Sequence, residues 1–173
     1  MSPDLARPVT DHARRSLREG PTGHSRRGTY RGSPDVGLVI DSTVFINAER
    51  ERETPEQLVA AIGNRFGDVG LALSVMSAGE LLHGCWRADS PSRRARREEF
   101  VAAILAAIPV VPITMPIMRI LAEIDAKLIA RGRRLPTSDL LIASTALARG
   151  DEVVTGNRRH FKQVPGLSVR ELR

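Results

Sequence analysis

Three acids and one amide stand where a short polar side chain is costly unless it is used. Asp41 closes the apolar run GLVI, Glu80 lies in SAGELLHG, Asp139 in PTSDLLIAS, and Asn157 follows EVVT in VVTGNRRHF. An unpaired carboxylate beside apolar neighbours is expensive. Carboxylates brought together repel and raise one another's pKa unless a cation joins them. A hard divalent ion with oxygen ligands, Mg²⁺ or Mn²⁺, resolves that repulsion. Such an ion polarises a phosphoryl oxygen, activates water and stabilises a leaving alkoxide. In a basic chain this chemistry points to phosphodiester cleavage. Each acid also has a bland reading: Asp139 as a first-turn acid favoured by the helix dipole, Glu80 as an ordinary helix acid, Asp41 as an N-cap. What favours the shared reading is that all three fall at strand ends in one order.

The elements that must position them follow from periodicity. GLVI, residues 37–40, is a strand ending at Asp41, and Thr43 to Ala48 begin a short helix. Thr54-Pro55-Glu56 starts a helix through Phe66, with Thr as N-cap and Pro at the first position. Val69 to Leu73 is a second strand, and the next helix runs from Ser77 to Ala88, with Glu80 in its first turn. Ser92 opens a long helix, SRRARREEFVAAILAAI, and Pro109 to Ile113 is a third strand. An apolar stripe at Ile117, Ile120, Leu121, Ile124 and Leu128 marks a helix stopped by Gly132. Thr137 or Ser138 caps the helix Asp139 to Arg149, ended by Gly150. Glu152 to Thr155 is a fourth strand, followed by a short helix and strand within Arg158 to Arg170. Alternating strands and helices predict an α/β fold: a mostly parallel sheet of four or five strands with helices on both faces. In such sheets the ligand site lies beyond the carboxyl ends of the strands, where these acids fall.

The bulk of the chain agrees with one domain. It has 173 residues, 42% apolar and 27% charged, with aromatics at only 3%, which disfavours base recognition on aromatic platforms. Net charge is +6, from 26 basic and 20 acidic residues, and a basic balance suits a polyanionic partner. Residues 1–36 are rich in Arg, Gly, Pro and Ser; their seven Arg against four acids carry +3 of that charge. Too apolar-poor to offset its ordering entropy, this segment is expected to be a disordered basic arm or the product of an over-long start, leaving residues 37–173 as the folded domain. Cys85 is the only cysteine, so no intrachain disulfide is expected. The most apolar run, Phe100 to Ile113, is short of the roughly 20 residues a membrane span needs. The expectation is a soluble, cytoplasmic protein.

Taken in order, VIDSTVFI, SAGELLHG, PTSDLLIAS and VVTGNRRHF resemble the four acidic motifs of PIN domains, across about residues 37–170. Within that superfamily the chain is similar to the VapC-type toxins of bacterial toxin–antitoxin pairs. The resemblance implies a metal-dependent endoribonuclease in which Asp41 and Asp139 hold the principal Mg²⁺ or Mn²⁺. Glu80 binds or orients that ion and helps deprotonate the nucleophile. Thr43 supports Asp41. Asn157 stands where many PIN domains carry a fourth acid, and so serves as a second-shell or water-positioning group. It leaves a second tightly held metal less secure. Arg131, Arg133, Arg134, Arg158 and Arg159 flank the expected site and are candidates for RNA contact. The resemblance further implies a VapB-like antitoxin partner and a homodimer. Arg93, Arg94, Arg96 and Arg97 read as a solvated face, and His160 as structural.

Rival enzymes fit less well. A haloacid-dehalogenase-like phosphatase wants an acid two residues after Asp41, where Thr43 stands; a phospho-receiver wants a late Lys close behind a strand; no GxGxxG follows the first strand. The rival of another class is a PIN-like module that binds RNA or protein without cutting, and would be indifferent to chelator.

Overall fold

The computed structural model describes residues 36–172. The reading of residues 1–36 as an arm therefore falls, all but Val36, outside the described residues. Five strands and seven helices alternate: β1 (Leu38–Ile40), α1 (Ser42–Arg50), α2 (Pro55–Phe66), β2 (Leu71–Ser74), α3 (Val75–Trp86), α4 (Pro91–Ala107), β3 (Val110–Val111), α5 (Met115–Ile129), α6 (Thr137–Arg149), β4 (Glu152–Val154), α7 (Arg158–Phe161) and β5 (Val169–Arg170). The sheet order is β3-β2-β1-β4-β5, and every pairing is parallel. The expected α/β architecture is present, and the mostly parallel sheet is parallel throughout.

β1 is central because it is apolar on both faces. Leu38 and Ile40 enter one core with Phe45, Leu58, Ile62, Leu81 and Ile104, contributed by α1 to α4. Val39 points the other way, into a core with Ile124, Leu128, Ile142, Ala146 and Phe161 from α5 to α7. That alternation is the period-2 geometry of a strand covered on both sides. The chain lays β2 and β3 on one side of β1 and β4 and β5 on the other, so the strand order reverses at β1. The crevice beyond the carboxyl ends of β1 and β4 is the switch point where such sheets bind ligands.

Local chemistry sets the boundaries. Thr54 caps α2 in a reciprocal box with Gln57, and Pro55 opens it. Gly150 ends α6 at φ 72° and Gly132 follows α5 at φ 68°, as the sequence indicates. Among the boundaries that differ, two lie beside the acids. Helix α3 starts at Val75, because Ser74 accepts the Met76 N–H as its cap, so Glu80 sits in the second turn and not the first. At α6, Pro136 is the N-cap and Thr137 is already helical.

Candidate active site

Asp41 is the residue immediately beyond the central strand. Its N–H donates to the Val154 carbonyl of β4 (2.9 Å), which pins the backbone between the two middle strands. Its side chain is 3% exposed. It serves as N-cap residue of α1 by position only, without a side-chain cap bond; the carboxylate is turned to other partners. Thr43 Oγ1 (2.5 Å) and Thr155 Oγ1 (2.6 Å) both donate to Asp41 Oδ2. Burial pushes the Asp41 carboxyl above its ordinary range against the pull of these hydroxyls, and the charge of Asp139 pushes it further the same way. The two acids placed 98 positions apart in sequence are thus electrostatic neighbours.

Glu80, half-buried, accepts a hydrogen bond from Ser42 Oγ at 2.6 Å, which ties α3 to the first residue of α1. Asp139, in the first turn of α6, contacts His160 Nδ1 through Oδ2 at 2.6 Å. Asn157 Nδ2 lies 3.0 Å from the same His160 nitrogen. His160, expected from the sequence to be structural, thus stands between Asp139 and Asn157. Asn157 reaches the acids through His160.

Three residues at this site escape a sequence search for acids. Thr155 is the last residue of EVVT, and only strand pairing shows that it meets Asp41. Ser42 adjoins Asp41 but bonds to Glu80. His160 reaches Asp139 across 21 positions. Among the flanking basic residues, Arg158 pairs with Glu171 at 2.9 Å. Arg131, Arg133, Arg134 and Arg159 are exposed, with no carboxylate partner among the described residues. The α4 arginines meet carboxylates of the chain itself: Arg93 with Asp89, Arg94 with Glu98, and Arg97 with Glu49, the last also donating to the Gly84 carbonyl. A groove of about 330 Å³ between α1, α3 and α4 runs from Glu80 past Arg50, Arg87 and Arg97, floored by Phe45, Leu81 and Val101.

Which acids receive a cation from the protein is informative. Asp151 and Glu152, buried at the start of β4, are paired with Arg149 and Arg170. Asp41, Glu80 and Asp139 have no Arg or Lys partner among the described residues. Their oxygen donors and uncompensated charge fit a hard divalent cation. No group of three or more acidic, His or Cys side chains among the described residues is close enough to enclose an ion as the side chains stand; Ser42 holds Glu80, and His160 holds Asp139.

The model of the PIN domain matches residues 38–167, and the chain belongs to that family. Within it, the chain is similar to VapC ribonucleases. It is 27% identical over 134 residues to Ribonuclease VapC1 of Rickettsia felis, covering 78% of this chain and 95% of the relative. It is 31% identical over 131 residues to Ribonuclease VapC4 of Mycobacterium tuberculosis, covering 76% and 93%. Among solved structures, VapBC-5 of Mycobacterium tuberculosis, a member of the VapBC family of toxin–antitoxin systems, superposes with a TM-score of 0.59 at 27% identity, covering 81% of this chain and 99% of that one. VapBC2 of Rickettsia felis, bound to a DNA fragment from its promoter, superposes with a TM-score of 0.68 at 19% identity, covering 78% and 97%; that likeness speaks to the fold.

Proposed function

We propose that the protein is an endoribonuclease dependent on Mg²⁺ or Mn²⁺, acting as the toxin of a VapC-type toxin–antitoxin pair. The observation that carries this reading is the pair of neighbouring carboxylates, Asp41 and Asp139, which no Arg or Lys among the described residues pairs with, in a chain that gives an Arg to each of the buried acids Asp151 and Glu152. The relatives named as ribonucleases support the reaction class.

A divalent cation at Asp41 and Asp139 would supply positive charge opposite the phosphoryl oxygens and lower the pKa of water. The chain's residues do the rest. Thr43 and Thr155 keep the Asp41 carboxylate fixed while the substrate is bound. Glu80, oriented by Ser42, accepts the proton lost by the attacking water. His160 holds Asp139 and positions it. Arg131, Arg133, Arg134 and Arg159 bind flanking phosphates, and no sequence reading by base stacking is needed.

The neighbours solved as VapBC complexes support a VapB-like antitoxin. The apolar floor of the α1–α3–α4 groove would take its side chains, and the groove leads to Glu80. A homodimer is part of the same reading. No helix among the described residues is long and apolar enough to cross a membrane.

The test is cleavage of total bacterial RNA by purified, antitoxin-free protein, with new 5′ ends mapped. Discrete cuts are expected with Mg²⁺ or Mn²⁺ and none with EDTA. Asp139→Asn should slow them by about 100-fold or more, a barrier rise of about 3 kcal/mol. Intact RNA in both metals, from folded protein, would favour a binding module that does not cut.

A further inference from the structure

Two backbone N–H groups set the hydrogen-bond directions around Asp41. The Gly156 N–H donates to Thr43 Oγ1 at 2.9 Å, and the Asn157 N–H donates to Thr155 Oγ1 at 2.8 Å. A backbone N–H can only donate, so each hydroxyl accepts there and keeps its single proton for another partner. Both protons point to one atom, Asp41 Oδ2, at 2.5 and 2.6 Å. With both protons committed, the 3.4 Å approach of the two hydroxyl oxygens carries no third bond. An ionised carboxylate has about four acceptor positions and no donor. Two are filled, both at Oδ2. At least one lone pair of Oδ1 remains.

We infer that Thr155 is a positioning residue: with Thr43 it saturates Asp41 Oδ2 and thereby assigns Oδ1 as the oxygen that meets the cation. The inference rests on the cation site proposed above. Thr155 is suited to the task by its burial, 1% exposed, and by its place directly after β4, one strand over from Asp41. The relay is also tightly packed from the loop side. A Cβ on Gly156 would stand 3.4 Å from Thr43 Oγ1 and 3.0 Å from the Asn47 amide nitrogen. A side chain at 156 would press on both, so glycine there gives the loop backbone its easiest approach to Thr43. Carboxylate ligands held by such outer partners lose their fixed orientation when the partner is removed.

The experiment is Mn²⁺ titration of the full chain, followed by electron paramagnetic resonance of the free ion, with melting temperature recorded for every variant. Thr155→Val keeps the side chain's shape and removes the proton. It should weaken Mn²⁺ binding by about 10- to 100-fold, the usual cost of losing an outer-shell partner. Thr155→Ser restores the hydroxyl and should restore the affinity. Thr43→Val reads the same relay from its half-buried end, and should act in the same direction should Thr155→Val fail to fold. A folded Thr155→Val that binds Mn²⁺ as the parent does, while Asp41→Asn has lost it, overturns the assignment and leaves the cation site standing. A parent that binds Mn²⁺ no better than Asp41→Asn overturns the cation site itself, and the assignment with it.

Discussion

Asp41 and Asp151 are both buried acids near the ends of strands, yet the fold treats them differently. Asp151 accepts the Gly37 N–H at 3.0 Å and pairs with Arg149, as a structural carboxylate should. Asp41 is offered hydroxyls and the charge of a second acid. Its carboxyl stays above the ordinary range, so over that window the folded state holds a proton the unfolded chain has released. Stability from this group therefore falls as pH rises above about 3.8, the ordinary value, and the cost persists at neutral pH. Without divalent ions, Asp41→Asn should remove that cost and melt above the parent at pH 7. Added Mg²⁺ should raise the parent and leave the variant unmoved, since only a ligand bound by the native state stabilises it. A variant that melts below the parent in EDTA would show that Asp41 is a structural acid. The acids themselves were legible, each being a polar residue beside or within an apolar stretch. Their partners were not. Nothing in the spacing of His160 says that it meets Asp139, because a contact between α7 and α6 is fixed by packing and not by local pattern.

At the level of elements, the reading succeeded where one residue carries the boundary. Gly150 and Gly132 take left-handed backbone, and Thr54 with Pro55 can only open a helix. It slipped at α3, where LALSVMS runs from strand to helix and both Ser74 and Ser77 could serve as caps. The two-residue shift moves Glu80 to the second turn, the position from which it reaches Ser42. Gly37 marks a tighter constraint. A Cβ there would stand 2.9 Å from the Gly70 carbonyl and 2.9 Å from Asp151 Oδ1, and backbone cannot yield as a side-chain tip can. Gly37→Ala should lower stability by about 1–3 kcal/mol, read as a shifted urea midpoint at constant slope. An unchanged midpoint would mean that β1 and β2 have more play than their register implies. Thr54→Ala, remote from the acids, should cost about 1 kcal/mol and leave cleavage unaltered.

At the scale of the whole molecule, most of the architecture was visible in advance. Strand and helix alternate, and the strands β1 and β2 are apolar along most of their length. The order β3-β2-β1-β4-β5 was not spelled out by any segment; it follows from which strands can be covered on both sides. The +6 charge gains meaning from its distribution. The α4 arginines stand on a largely solvent-exposed face, as the sequence reading has it, and Arg93, Arg94 and Arg97 meet the chain's own carboxylates there. The exposed Arg131, Arg133, Arg134 and Arg159 remain for a polyanion. Replacing Arg133 and Arg134 with Ala should weaken RNA binding evenly across sequences and lower the slope of log affinity against log salt by about 0.7 for each lost phosphate contact. Arg158→Ala should change it less, since Glu171 already holds that guanidinium. Equal effects at all these positions would point to diffuse attraction without a defined track.

The central claim is that the acids at the end of β1 hold a divalent ion against the phosphate being cut. It is tested most directly with an RNA carrying sulfur in place of a non-bridging oxygen at a mapped cleavage site. Mn²⁺ accepts sulfur better than Mg²⁺, the harder ion. The account predicts that the sulfur-substituted RNA is cut poorly in Mg²⁺ and recovers in Mn²⁺, while the unmodified RNA is cut in both. Equal cutting of the two RNAs in Mg²⁺, or cutting that persists in EDTA, would contradict it.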